Sequence, residues 1–192
     1  TQPELALKAM VLVNDADLAT GAGDPLELGL LEHAAKQGVN IAQLKQQFSR
    51  QSEKPFDAAW KYMRVTVQED GRPISYYKGA PEVLLGLCAL QPDQQQALQA
   101  GIDQHAAQGY RMLALAREEG QAESRLQWLG MILLWDPPRQ EVPDAIARAR
   151  AAGVRVLMIT GDHPATARAI ADRIGLAPGK VVTGEQLAGI SA

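Results

Sequence analysis

The chain has a single cysteine, Cys88, so no disulfide can close within it. Cys88 reads as a small buried hydrophobe on a helix. There are only three histidines, His33, His105 and His163, and their spacing forms no ligand cluster, so no zinc site is expected and the three read as structural. A basic excess is also missing: 19 Lys and Arg stand against 22 Asp and Glu, a net charge of −3. That balance excludes a dominant nucleic-acid-binding surface. Long apolar runs are lacking too. The longest, "WLGMILLW" from Trp128 to Trp135, is far short of the roughly 20 residues that span a bilayer and reads as a buried strand. The opening "TQPELALKAM" has no charged region before an apolar one and no cleavage pattern, so no signal peptide is expected; it also lacks an initiating Met. The abrupt start and stop are those expected of a piece of a larger chain.

What is present is ordinary for a soluble globular protein, with 46% hydrophobic and 21% charged residues. The length suits one large domain or two small ones. Asp24-Pro25-Leu26-Glu27 gives an N-cap, a proline at the first helical position and an acid three residues after the cap. Leu26, Leu30, Leu31 and Ala34 then make an apolar face that ends at Gly38. A short helix is expected over Ile41 to Phe48. "KYMRVTV" alternates Met63, Val65 and Val67 against Tyr62, Arg64 and Thr66, the pattern of a half-buried strand. Asp70-Gly71 turns it and "PISYYKG" returns. A helix from Pro81 to about Leu90 and a Gln-rich helix to Gly109 follow, the latter with Leu98, Ile102 and His105 at helical spacing. "RMLALAREE" and "LQWLGMILLW" read as two further strands. Residues 11–130 thus read as an α+β unit with an antiparallel sheet.

After Trp135 the pattern changes. "DPPR" breaks the chain, and "VPDAIARARAAG" predicts a helix with Val142, Ile146 and Ala149 inward. "VRVLMIT" is a continuous apolar run, as expected of a central parallel strand covered on both faces. A helix from Pro164 to Gly175 and a short strand "KVV" complete an α-β-α-β order with right-handed connections. Thr160-Gly161-Asp162 then falls at the carboxyl end of a parallel strand, where α/β sheets place ligands.

Taken in order, "GDPLELGLLEHAAKQG", "KPFDAAWKYM", "YYKGAPEV", "GYRMLALA", "DPPR" and "MITGDHPATARAIA" make the chain resemble the cytoplasmic part of a P-type cation-transporting ATPase, over nearly its whole length. "KGAPE" and "MITGD" are the most specific pieces. The resemblance implies an α+β nucleotide-binding domain over 1–130, joined to part of a phosphorylation domain over 131–192 with an α/β, Rossmann-like haloacid-dehalogenase fold. It implies roles by position. Glu27 matches the acid near the adenine amino group, and Phe56 the aromatic that stacks on adenine. Lys61 matches a basic residue near the nucleotide, Lys78 the lysine lining the adenine pocket, and Gly79 and Ala80 the small residues beneath the base. Arg111 matches the arginine approaching the phosphates. Asp136 and Arg139 match the hinge and nucleotide-contacting pair, and Thr160, Gly161 and Asp162 the loop holding the transferred phosphoryl group.

The chemistry of these residue types agrees. An aromatic face and an aliphatic lysine stem make a slot for a flat base, with stacking worth roughly 1–3 kcal/mol. Glycine lets backbone approach a ligand closely, and arginine offers a fork of donors to phosphate. Thr160 and neighbouring N–H groups suit charge on a transferring phosphoryl group. Each residue has a plainer role as well. Glu27 sits in the capping-box position, Phe56 suits a core, and Lys61 suits a sheet edge. Arg111 can simply flank a strand, and Asp162 can cap a helix.

Two departures from the family pattern stand out. Ala58, Ala59 and Trp60 replace a more basic stretch after Phe56, which implies weaker nucleotide binding. The Asp-Lys-Thr-Gly-Thr segment with the phosphate-accepting aspartate is absent from this sequence, as is the later Gly-Asp-Gly-x-Asn-Asp segment that serves magnesium. The expectation is therefore a cytoplasmic, ATP- or ADP-binding portion of an integral membrane pump of the cell membrane, calcium-type or general cation, with Mg2+ used in the intact enzyme. Its partners are the membrane domain and the remaining cytoplasmic parts, and the portion alone is expected to be inactive. Open edges of a truncated parallel sheet would also invite dimerisation. Two alternatives stay open: a stand-alone haloacid-dehalogenase-like phosphatase built on Asp15 and Asp17, and a non-enzymatic interaction module that has lost nucleotide binding.

Overall fold

The computed structural model of the chain describes residues 2–119, 126–135, 137–176 and 179–189. The chain falls into two compact units, one of residues 1–99 with 113–132 and one of 100–112 with 133–192.

The first unit opens on a helix that the sequence pattern hides, α1 (Gln2–Leu12). Its last four residues, Ala9 to Leu12, are all buried, so no 3.6-residue period shows there. Helix α2 (Pro25–Lys36) forms as its signals dictate: the Asp24 carboxylate accepts from the Leu26 N–H at 2.8 Å, with Pro25 at the first helical position. Asn40 caps α3 (Ile41–Gln47) through the Gln43 N–H at 3.0 Å. A polar strand follows, β1 (Arg50–Lys54). It has no apolar residue to mark it and forms because its backbone pairs antiparallel with β2 (Tyr62–Glu69). β2 and β3 (Arg72–Gly79) make a hairpin turned by Asp70 and Gly71, both at positive φ (47° and 77°). Two positive φ values make the tight turn that matches strand twist, which is why Asp-Gly works there.

Helix α4 (Pro81–Leu87) is shorter than expected. It stops at Cys88 because the chain there bridges to Leu126: the Leu126 N–H donates to Leu87 O at 3.1 Å and the Ala89 N–H to Leu126 O at 3.0 Å. Cys88 is thus a half-buried residue just past a helix rather than on it. Burial pushes its thiol up from 9.0 to about 11, which leaves about a hundredfold less thiolate near neutral pH than an unperturbed cysteine. Alkylation of the folded protein by iodoacetamide is expected to be slow, and fast in urea. Equal rates in both would show the thiol to be open to solvent.

α5 (Pro92–Ala107), β4 (Arg111–Glu119) and β5 (Gln127–Leu134) complete a five-stranded sheet in the order β1-β2-β3-β4-β5. The pairings β1–β2, β2–β3 and β3–β4 are antiparallel, as the reading of residues 11–130 expects. One face carries Met63, Val65, Val67, Ile74 and Tyr76 and packs in a single core with Ala9, Met10, Leu12 and Leu30 of α1 and α2. The other face is partly covered too, with Tyr62 and Thr66 buried, Arg64 half-buried and Gln68 exposed, so β2 is more enclosed than its half-buried reading expects. Two polar pairs form on it: Thr66 and Ser75 share a hydroxyl bond at 2.9 Å, and the Tyr77 hydroxyl donates to Glu118 at 2.7 Å. Burial, reinforced by that carboxylate, holds the Tyr77 hydroxyl far above the ordinary phenol range.

In the second unit α6 (Val142–Ala151) turns Ile146 inward, with Val142 and Ala149 half-buried, as its spacing requires. α7 (Pro164–Arg173) is capped by His163, whose Nδ1 accepts from the Ala165 N–H, and a short α8 (Gly184–Ala188) ends the described chain. Arg150 ties the two longer helices' ends together by donating to Gly175 O and Leu176 O, both at 2.7 Å. Two expected strands do not form. Residues 154–160 form no strand, with Leu157 77% and Ile159 95% exposed, and 180–182 are likewise not a strand. A parallel strand buried on both faces needs a neighbour on each edge, and among the described residues no strand pairs with 154–160. Among the described residues no parallel sheet forms in this unit, so the open edges expected of one are not seen; an exposed apolar run takes their place.

Candidate functional site

In the first unit the candidate residues gather at one end of the sheet. Lys78 is the penultimate residue of β3 and sits opposite Met63, on the face that α1 and α2 cover. It is only 7% exposed, and a lysine that buried needs a partner. Glu27 provides it from the first turn of α2: its Oε1 lies 2.5 Å from Lys78 Nζ. The other oxygen, Oε2, accepts from the Asp15 N–H at 3.0 Å. Glu27 therefore does not close a capping box; Asp24 caps the helix alone, and the Glu27 carboxylate faces β3. Asn14, fully buried, supports the same corner by donating its Nδ2 to Glu27 O and accepting the Ala16 N–H on Oδ1. No sequence signal marks Asn14 for this.

Gly79 follows, on the opposite face. A Cβ there would sit 2.5 Å from Lys61 O and 2.5 Å from Tyr62 Cβ, so the close approach admits glycine alone. The next residue, Ala80, donates its N–H to Lys61 O at 2.9 Å. Lys61 has φ 58°, the left-handed region, and that backbone turn is what delivers its carbonyl to Ala80. Its ammonium lies 3.9 Å from Glu82 in an exposed pair, an arrangement that contributes little to stability.

Phe56 is on the loop between β1 and β2 and is 63% exposed, so it is not a core residue. The loop folds on itself. The Lys61 N–H donates to Asp57 O at 2.7 Å, the Ala59 N–H to Asp57 Oδ1 at 2.7 Å, and the Trp60 indole N–H to Pro55 O at 3.1 Å.

In the second unit Arg111, the first residue of β4, pairs through Nε with Asp162 Oδ1 at 2.9 Å. Thr160 donates its hydroxyl to Asp162 Oδ2 at 2.7 Å and accepts the Asp162 N–H at 3.1 Å. So Asp162 does not cap α7; it holds Arg111, and Thr160 closes the turn around Gly161. Arg139 is exposed, its carbonyl accepting the Val142 N–H at 3.2 Å where α6 begins. Asp136 lies outside the described residues.

The phosphatase alternative loses its footing. It needs a hydrophobic strand before Asp15 and Asp17, and the structure has helix α1 there. Asp15 pairs with Arg50 at 2.6 Å. Asp17 accepts from the Ala19 N–H and the Thr20 hydroxyl, which hold its carboxyl below the usual range. Among the described residues no group of three or more His, Cys, Asp or Glu is placed to hold a metal ion, and no helix is long and apolar enough to cross a membrane.

A family profile described as "P-type ATPase, cytoplasmic domain N" matches residues 4–141. A "Probable cation-transporting P-type ATPase" of Mycoplasma genitalium is 37% identical over 92% of this chain and 21% of its own length. "Calcium-transporting ATPase 1" of Lactococcus lactis is 33% identical over 90% of this chain and 22% of its own, and "Calcium-transporting ATPase" of Bacillus subtilis 37% identical over 86% and 21%. The chain spans about a fifth of the length of these relatives. With that coverage and the profile match, the chain belongs to the P-type cation-transporting ATPases, and residues 4–141 correspond to their cytoplasmic domain N.

Proposed function

We propose that this chain binds ATP or ADP at the sheet end where Lys78 meets Glu27, as the nucleotide-binding part of a pump that moves a cation, of calcium type or more general. The observation that carries the reading is the buried Lys78–Glu27 pair, which joins residues 51 apart in sequence. These are two of the positions that the family motifs associate with adenine. The pair fixes the lysine stem, Gly79 lets the chain at Lys61 and Tyr62 pack directly against β3 beside it, and Phe56 offers an unburied aromatic face.

In this reading residues 1–130 are the nucleotide-binding domain. Residues 131–192 are part of a phosphorylation domain of haloacid-dehalogenase-like fold, in which Thr160, Gly161 and Asp162 hold the transferred phosphoryl group. Arg111 approaches the phosphates, and Asp136 and Arg139 serve the joint. In the intact pump the γ-phosphate passes to an aspartate that this sequence does not contain, with Mg2+ supplied by carboxylates that it also does not contain. Transport then follows in the membrane part. The chain alone binds nucleotide weakly and does not turn it over.

Calorimetric titration with ATP tests the binding step. Phe56→Ala is the clean variant, because a side chain this exposed contributes little to folding; it is expected to weaken binding by roughly five- to a hundredfold, the worth of one base–aromatic stack. Lys78→Ala is expected to weaken it too, with circular dichroism confirming the fold. No binding by the wild type at millimolar ATP would favour the interaction-module reading, to which the Asp57-Ala58-Ala59-Trp60 stretch points.

A further inference from the structure

Trp60 is the one bulky residue in a stretch of otherwise small side chains, and nothing in the nucleotide-binding reading uses it. We propose that Trp60 is a positioning residue that locks the β1–β2 loop so that Phe56 is presented, rigid and uncovered, to a nucleobase. The inference rests on the nucleotide-binding reading above.

The loop geometry carries it. Phe56 stands between two residues whose carbonyls are both engaged. On one side the Trp60 indole N–H donates to Pro55 O at 3.1 Å. On the other the Lys61 N–H donates to Asp57 O at 2.7 Å, and Asp57 Oδ1 takes the Ala59 N–H. The backbone on either side of Phe56 is therefore pinned, and one of the two pins is a side chain, Trp60. The indole is held in its turn. Lys54 Nζ lies over the Trp60 ring at 4.8 Å and over the Tyr62 ring at 4.6 Å from the centroids, and donates to the Tyr62 hydroxyl at 2.7 Å. Lys54 is the last residue of β1 and Tyr62 the first of β2. The stack thus fastens the loop to both strands at its base.

Core packing does not account for Trp60, because the residue is 36% exposed. What the position uses is a donor and a cation-binding face on one side chain. Tryptophan gives both; phenylalanine gives the face without the donor. The benefit is preorganisation. A base that stacks on a loose aromatic must first order its loop, and a pinned loop has lost that freedom already.

The test combines Trp60→Ala and Trp60→Phe with Phe56→Ala. Without nucleotide, amide exchange at Ala59 and Lys61 is expected to quicken roughly tenfold in Trp60→Ala and less in Trp60→Phe; unchanged exchange overturns the clamp. With ATP, Trp60→Ala is expected to weaken binding roughly five- to tenfold when Phe56 is present and less than about twofold when it is alanine. Inorganic triphosphate is expected to bind all variants alike. Equal losses in both backgrounds, or a matching loss for triphosphate, overturn the inference. Binding lost in Phe56→Ala but kept in Trp60→Ala overturns it alone and leaves the nucleotide-binding reading standing. Absence of ATP binding in the wild type overturns both.

Discussion

Glu27→Ala is expected to destabilise the first unit by about 3 kcal/mol or more, measured by urea unfolding. The reason is what it leaves behind. The Lys78 side chain is 8% and that of Glu27 16% accessible, so neither charge has much water to fall back on. Removing the carboxylate strands a buried ammonium and also takes the acceptor from the Asp15 N–H, a smaller loss because that bond is exposed and water can replace it. A chain of this size has roughly 5–15 kcal/mol of stability in total, so the loss is a large share. The double variant Glu27→Leu with Lys78→Met replaces both charges by apolar side chains of similar length and is expected to recover most of it, because desolvation of two ions is then no longer required. Glu82→Ala, which breaks the exposed 3.9 Å pair with Lys61, serves as the control and is expected to cost less than about 1 kcal/mol. If Glu27→Ala and Glu82→Ala lose the same small amount, the Lys78 pair is solvated and does not hold the fold. The double variant separates two functions of the pair: a stable protein that no longer binds ATP would place the charges in recognition rather than in folding.

What could be read from the sequence was whatever is settled within a few residues. Asp24-Pro25 starts α2 and Asp70-Gly71 turns the hairpin because a cap and a tight turn depend on local chemistry. The helix spacing at Ile146 survives for the same reason. β1 was illegible because Arg50 to Lys54 carries no apolar side chain, and its pairing with β2 decides its conformation. Residues 154–160 misled in the opposite direction. An apolar run gives the right composition for a buried strand but does not supply the neighbours that would bury it. At the candidate site, Glu27 and Lys78 are 51 residues apart, and no spacing rule connects them; the family motifs named both, and only the fold shows them as one ion pair. Asn14 carried no signal at all, and Lys54 and Trp60, though inside a family motif, gave no hint of their contacts with each other and with Tyr62, which depend on where the chain returns. The plain capping roles for Glu27 and Asp162 were reasonable from sequence and were displaced by tertiary partners, Lys78 in one case and Arg111 in the other.

Two glycine-to-alanine substitutions only seven positions apart are expected to have opposite signs. At Gly79 an added Cβ meets Lys61 O and Tyr62 Cβ at 2.5 Å and Tyr62 Cα at 2.7 Å. Two of these are backbone atoms, Lys61 O just before β2 and Tyr62 Cα at its start, and neither can swing aside as the tip of a flexible side chain would. Relief requires the Tyr62–Gly79 end of the β2–β3 ladder to open, and with it the Ala80 N–H bond to Lys61 O. Gly79→Ala is expected to cost about 2–3 kcal/mol, near the top of the range for overpacking, and Gly79→Val more. Gly86 lies within α4, and its added Cβ would meet nothing within 4 Å. Alanine there removes backbone entropy from the unfolded chain and favours the helix, so Gly86→Ala is expected to stabilise by about 0.4–1 kcal/mol. Urea midpoints of the two variants, moving in opposite directions from the wild type, are the readout. A Gly79→Ala midpoint equal to wild type would mean that β2 and β3 yield freely at this end, and the close approach of backbone beside Lys78 would then be no constraint on the site. A shift of the expected size, with ATP binding lost in the surviving folded protein, would tie the same approach to recognition as well as to folding.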